Sequence, residues 1–120
     1  MSRALVTIVF LVLAAASWTA QAHHSAARFD LTIRDHKVTG IVKEFKAANP
    51  HTKIVLEVTD EKGTRDIEFE GHSLNNYYRG GWREGMVKAG DKITLIAAPT
   101  KDGSDGGYAL KVIAADGTEF

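Results

Sequence analysis

The stretch that decides the fold covers residues 52–70, TKIVLEVTDEKGTRDIEFE. Apolar and polar side chains alternate on both sides of a turn signal, the pattern of two half-buried antiparallel strands. The four residues from Asp60 to Gly63 are predicted to form the loop between these strands. The sequence therefore predicts a β-hairpin with one face buried and the other in water.

The register of this hairpin is also predictable, because a slip of one residue would turn every side chain to the wrong face. With Thr59 opposite Thr64, apolar residues face apolar residues and a lysine faces a glutamate. The predicted pairs are Ile54 with Phe69, Leu56 with Ile67, and Lys53 with Glu70. The same register places His51 opposite His72.

The rest of the chain predicts further short strands around this hairpin. The predicted strands cover residues 37–46, 92–98 and 108–115, with a short terminal strand ending at residue 120. Gly40 suggests a bulge, Ser73 caps a short helix closed by Gly80, and Trp82 is a plug for one barrel end. We predict an all-β protein with one short helix, a small five- to six-stranded OB-fold-like Greek-key barrel; a meander barrel is the alternative.

Length and composition limit the classes of function. A chain of 120 residues makes one domain, and 15 basic against 15 acidic side chains give no electrostatic reason to expect nucleic acid. The chain has no cysteine, so disulfides and thiolate chemistry are excluded. Neither a nucleophile motif nor a buried pair of carboxylates is recognisable, so we do not predict an enzyme.

The N-terminal residues have the pattern of a cleavable signal peptide. Arg3 precedes an almost wholly apolar run over residues 4–16, which is too short to span a bilayer. Ala20 and Ala22 supply small residues for cleavage after Ala22, so the mature chain would begin at His23. The predicted segments are a signal peptide over 1–22, an arm over 23–36 and a barrel over 37–120. We expect a periplasmic protein without a membrane span after processing.

Several short motifs occur in a characteristic order. They are A-H-H-S at residues 22–25, N-P-H at 49–51, F-E-G at 69–71, R-G-G-W at 79–82 and K-A-G-D at 88–91. Together they resemble a family of small exported bacterial proteins without an established activity, and this resemblance implies an OB-fold-like barrel and export. The chain departs from the family pattern at Ile67, where tryptophan is usual, and at His72, where glycine is usual.

The histidines carry the sharpest functional hypothesis. An N-terminal His23 could bind a metal through its α-amine and its imidazole Nδ1 together, and nitrogen ligands suit copper(II). His51 is the preferred third ligand if the arm folds back over the hairpin, while His24 and His72 are weaker candidates. Zinc is the less favoured metal. The predicted function is copper handling by a periplasmic binding module.

Each of these residues also has a simpler interpretation. His72 could be a solvent-facing polar residue, and a ring hydrogen bond to a loop carbonyl would explain His51. The alternative function is a metal-free envelope module that binds a peptide, a glycan or a protein partner in the barrel groove. Tyr77, Tyr78 and Trp82 would then lie near the contact, although packing at the barrel end explains these aromatics as well.

Overall fold

A computed structural model describes residues 26–120 of the chain. The elements are β1 (His36–Lys46), β2 (Lys53–Asp60), β3 (Gly63–Gly71), α1 (Leu74–Arg79), β4 (Lys92–Pro99) and β5 (Gly107–Ile113). The five strands form a closed barrel in the order β1-β2-β3-β5-β4, in which only β3 and β5 are parallel neighbours. The predicted class, an all-β barrel with one short helix between the third and fourth strands, is confirmed.

The hairpin that anchors this barrel has the predicted register. Ile54 lies opposite Phe69, Leu56 opposite Ile67 and Lys53 opposite Glu70. The loop is shorter than predicted, because Asp60 pairs with Gly63 and only the two residues between them form the turn. Asp60 Oδ1 accepts a hydrogen bond from the Lys62 amide at 2.8 Å, and Gly63 has a φ of 102°, which favours glycine.

The chain end differs from the predicted sixth strand. β5 stops at Ile113, and the last residues return to it through an isolated bridge between Ile113 and Glu119. Val112 and Phe120 exchange two backbone hydrogen bonds of 2.8 and 3.0 Å. This short segment therefore covers the end of β5 without extending the sheet as a strand.

The helix α1 and the residues after it close one end of the barrel. Ser73 caps the helix by accepting a hydrogen bond from the Asn76 amide, and Gly80 ends it, both as predicted. Trp82 is 9% exposed and its ring lies 6.2 Å from that of Phe45. The predicted role of Trp82 as a barrel plug agrees with this packing.

The barrel interior holds most of the apolar side chains. The fully or nearly buried members include Val42, Ile54, Leu56, Phe69, Tyr77, Ile93, Leu95 and Val112. Within residues 26–120, no helix is long and apolar enough to cross a membrane.

Strand β1 takes part in both halves of the barrel. Its first part, from His36 to Ile41, pairs with β4, and its second part, from Ile41 to Lys46, pairs with β2. The bulge lies between Val42 and Glu44, not at Gly40 as predicted. Gly40 instead allows a close approach, because a Cβ there would lie 2.6 Å from the Glu57 carbonyl oxygen.

Candidate functional site

The segment before β1 folds back onto the barrel. Phe29 forms an isolated bridge with Thr100, and the Asp30 amide donates to the Pro99 carbonyl at 2.8 Å. Phe29 is 2% exposed, and its ring lies 5.7 Å from that of Tyr108. The described part of the arm is therefore fixed against the barrel wall beside β5.

This arrangement encloses a small cavity of about 270 Å³ between the arm and the barrel. Its lining residues are Ala26, Phe29, Leu31, Arg34, His51, Glu70, His72, Tyr108 and Leu110. Two of the four predicted metal ligands, His51 and His72, thus line one cavity with the arm. The other two, His23 and His24, lie outside the described residues.

The surroundings of His72 follow from the parallel pairing of β3 and β5. Glu70 faces Tyr108 and Gly71 faces Ala109 in that register, so His72 comes beside Leu110. The His72 ring contacts the Leu110 carbonyl oxygen through Nε2 and the Tyr108 hydroxyl through Nδ1, both at 3.2 Å. His72 is half-buried and held at both nitrogens, so the interpretation as a solvent-facing residue was wrong.

These contacts define where the proton of a neutral His72 ring lies. A carbonyl oxygen only accepts hydrogen bonds, so Nε2 carries the hydrogen and Nδ1 presents its lone pair to Tyr108. Burial, and secondarily the charge of Glu70, raises the pKa of the Tyr108 phenol. The phenol thus stays protonated at neutral pH and donates to Nδ1.

His51 lies at the more open side of the cavity. Its Nδ1 is 3.4 Å from Glu70 Oε1, and its ring meets Tyr108 edge-on with 6.3 Å between centroids. The His51 side chain is 38% exposed, and among residues 26–120 no hydrogen bond involves its Nε2. The carbonyl hydrogen bond that sequence reasoning suggested for His51 is found at His72 instead.

One ring nitrogen of each histidine is held as in many metal-binding histidines, although the second nitrogen of His72 is engaged by Tyr108. Such a histidine usually holds one ring nitrogen on a carboxylate or carbonyl and presents the other nitrogen to the metal. His51 has Glu70 at Nδ1, and His72 has the Leu110 carbonyl at Nε2. Within the described part of the chain, however, no group of three or more histidine, aspartate or glutamate side chains converges as a metal site. A complete site would need further ligands.

The three aromatics of the alternative hypothesis differ in exposure: two are buried together and one faces solvent. Tyr77 is 1% exposed and donates to the Ala109 carbonyl at 3.2 Å, and Trp82 is buried beside it. Only Tyr78 is exposed, at 53%, with the Arg83 guanidinium 3.9 Å from its ring centre. Tyr77 and Trp82 pack the barrel end, so neither offers a contact surface to a partner.

A family described as of unknown function, DUF6152, matches residues 10–109. The chain belongs to this family. Neither the curated proteins nor the solved structures compared with the chain include a match. The family match confirms the predicted membership of a family without an established activity, whereas the significance of the A-H-H-S and N-P-H motifs stays a prediction.

A cluster of charged side chains lies at the turn end of the β2–β3 hairpin, away from His51 and His72. Arg65 points inward with Ile67 and Phe69, and its guanidinium lies 2.7 Å from Asp60 and 2.6 Å from Asp105. These hydrogen bonds lower the pKa of both aspartates and raise that of the guanidinium. Sequence reasoning missed this clamp because Asp105 is 40 positions away in the β4–β5 loop.

We expect the Arg65 clamp to make stability depend on pH. Both aspartates have folded-state pKa values below their usual value of about 3.9, so their contribution is present above that pH and disappears as acid protonates them. Arg65→Gln should therefore be less stable than the native chain at pH 7, with a smaller difference at pH 3. Urea unfolding at both pH values measures this. Lys46→Gln, which removes one positive charge at the far end of the β1–β2 ladder, is the control, and an equal Arg65→Gln deficit at both pH values would contradict the prediction.

Proposed function

We propose that this family member is an exported, periplasmic copper-binding module. In this proposal His23 is the first residue of the mature chain and binds copper(II) through its amine and imidazole, and His51 supplies a third nitrogen. His24 and His72 are secondary ligands. The first 22 residues support export, since they combine a short apolar run with small residues at the predicted cleavage site.

The observation that carries the proposal is the shared cavity of the arm and the histidines. Ala26 lines the same cavity of about 270 Å³ as His51 and His72. Ala26 is three positions after His23, a span of at most about 11 Å in extended chain. A chelate at an N-terminal His23 would therefore be attached about three positions from the cavity that His51 lines.

The chemistry of the two cavity histidines ranks them as ligands. His51 Nε2 makes no hydrogen bond within residues 26–120, and its Nδ1 faces Glu70, which would orient the ring. His72 Nδ1 already accepts from the Tyr108 hydroxyl and would have to exchange that hydrogen bond for the metal. His51 is thus the ligand that binds without breaking an existing contact.

Copper titration of the chain that begins at His23 tests the proposal. We expect one tight copper(II) site per chain by calorimetry, with nitrogen couplings in the electron paramagnetic resonance spectrum. His51→Ala should weaken this site at least about tenfold, which corresponds to about 1.4 kcal/mol. The matched control is His36→Ala, because His36 is exposed at the start of β1 and does not line the arm cavity. Equal copper affinity in the two variants would overturn the assignment of His51.

A further inference from the structure

An opening in the barrel lies where β1 diverges from β2. In the described residues, β1 from His36 to Gly40 has ladder partners only in β4, and β2 from Val58 to Asp60 has ladder partners only in β3. The β1–β2 ladder starts at Ile41 and Glu57. The two strands therefore diverge into a wedge that is closed at Gly40, where β1 approaches Glu57 and Val58, and from His36 to Thr39 the facing edge of β1 has no ladder partner among residues 26–120.

This wedge contains a cavity of about 610 Å³. Apolar side chains form its deeper wall: Val38, Val58, Ile67, Phe69 and Pro99. Threonine and serine hydroxyls and charged groups lie around its mouth. An open strand edge over apolar side chains is the surface to which extended peptides add as an extra strand, with main-chain hydrogen bonds for affinity and alternate side chains for specificity.

The charges around the wedge indicate which peptide fits. Three cationic side chains (Lys37, Lys62, Arg65) and two anionic ones (Asp60, Asp105) line the cavity. Both aspartates are hydrogen-bonded to Arg65 and also interact electrostatically with Lys62, whereas Lys37 is exposed and makes no ion pair within residues 26–120, so the three cations outnumber the two anions. The charge that is available to a ligand is therefore positive.

We infer that the wedge binds a short, extended, acidic peptide segment along the open edge of β1. The four residues from His36 to Thr39 extend about 13 Å, which accommodates a ligand of about four residues in the ladder. Apolar ligand side chains at alternate positions pack on Val58 and Ile67, and acidic ones meet Lys37 and Lys62. The inference does not depend on the copper site, which lies at the other end of the β2–β3 hairpin.

A designed peptide provides the test. The probe is acetyl-Asp-Ile-Thr-Ile-Asp-amide, titrated into the purified ¹⁵N-labelled protein and followed by nuclear magnetic resonance. We expect saturable shifts of the amide signals of β1 residues 36–40 and of Val58. Lys37→Ala and Lys62→Ala should each weaken binding by about two- to fivefold, as expected for exposed charge pairs. Lys46→Ala, at the far end of β1, is the matched control and should leave the affinity unchanged.

A second probe separates strand addition from simple charge attraction. The same peptide with alternate amides N-methylated keeps its charges but lacks the donors for a ladder, so its binding should be lost. Equal binding of the methylated peptide would overturn the inference. So would shifts confined to the cavity of His51, or no saturation at millimolar peptide, whether or not the protein binds copper.

Discussion

Replacing Gly40 with valine is expected to destabilise the folded barrel strongly. A Cβ at this position would lie 2.6 Å from the Glu57 carbonyl oxygen and 3.1 Å from the Leu56 Cβ. The first of these is backbone, so the strands themselves must move apart, and valine adds two more carbon atoms to the overlap. We expect a loss of at least about 3 kcal/mol, a large part of the about 5–15 kcal/mol that stabilises a domain.

Urea unfolding and circular dichroism measure this loss. The matched control is Thr39→Val, which places the same side chain at the neighbouring residue, on the outer face of β1. Thr39 is exposed and donates or accepts only one side-chain hydrogen bond, to Thr94 Oγ1 at 2.8 Å, so the control should lose no more than about 1 kcal/mol. A Gly40→Val protein as stable as the control would contradict the close approach of β1 and β2.

Replacing Tyr77 with alanine is expected to have the second-largest effect. Tyr77 is 1% exposed and its ring lies 5.4 Å from that of Phe120 and 5.5 Å from that of His72. Removing a buried aromatic ring costs about 3–5 kcal/mol, because the surrounding groups close the cavity only in part. Since the ring also packs against His72, the variant should alter the histidine resonances of the candidate site.

Two variants separate the sources of this effect. Tyr77→Phe removes only the hydroxyl that donates to the Ala109 carbonyl, at a cost of about 1 kcal/mol. Tyr78→Ala removes the adjacent, exposed ring and its contact with Arg83, again about 1 kcal/mol or less. The urea midpoint of unfolding should be far lower for Tyr77→Ala than for either of these variants. Similar midpoints for Tyr77→Ala and Tyr78→Ala would refute the packing described.

Local patterns in the sequence predicted the elements that local physics determines. The alternation and the position of the turn at 60–63 together predicted the hairpin register, since a slip of one residue would bury charge. Ser73 and Gly80 gave the helix ends because their capping acts within one turn. Gly40 was harder, because a glycine within a strand fits a bulge and a close approach equally well, and only the position of Glu57 decides between them.

Contacts between distant segments were not predictable in the same way. His72 meets Tyr108 and Leu110 only because β3 and β5 pair in parallel, and no short-range pattern specifies that register. The Arg65 clamp depends in the same way on where the β4–β5 loop places Asp105. The sequence identified His51 and His72 as neighbours in the hairpin, but their ring partners follow from the closed barrel.

The most direct test of the copper proposal is the effect of three alanines added at the mature N-terminus. They move the α-amine away from the His23 imidazole and keep both His23 and His24 out of the third position, where an imidazole could form a new chelate with the amine and two amide nitrogens, while residues 26–120 stay unchanged. We expect copper(II) affinity, measured by calorimetric titration, to fall at least about 100-fold, which corresponds to about 2.7 kcal/mol. Equal copper affinity of the extended chain and the chain that begins at His23 would contradict the account.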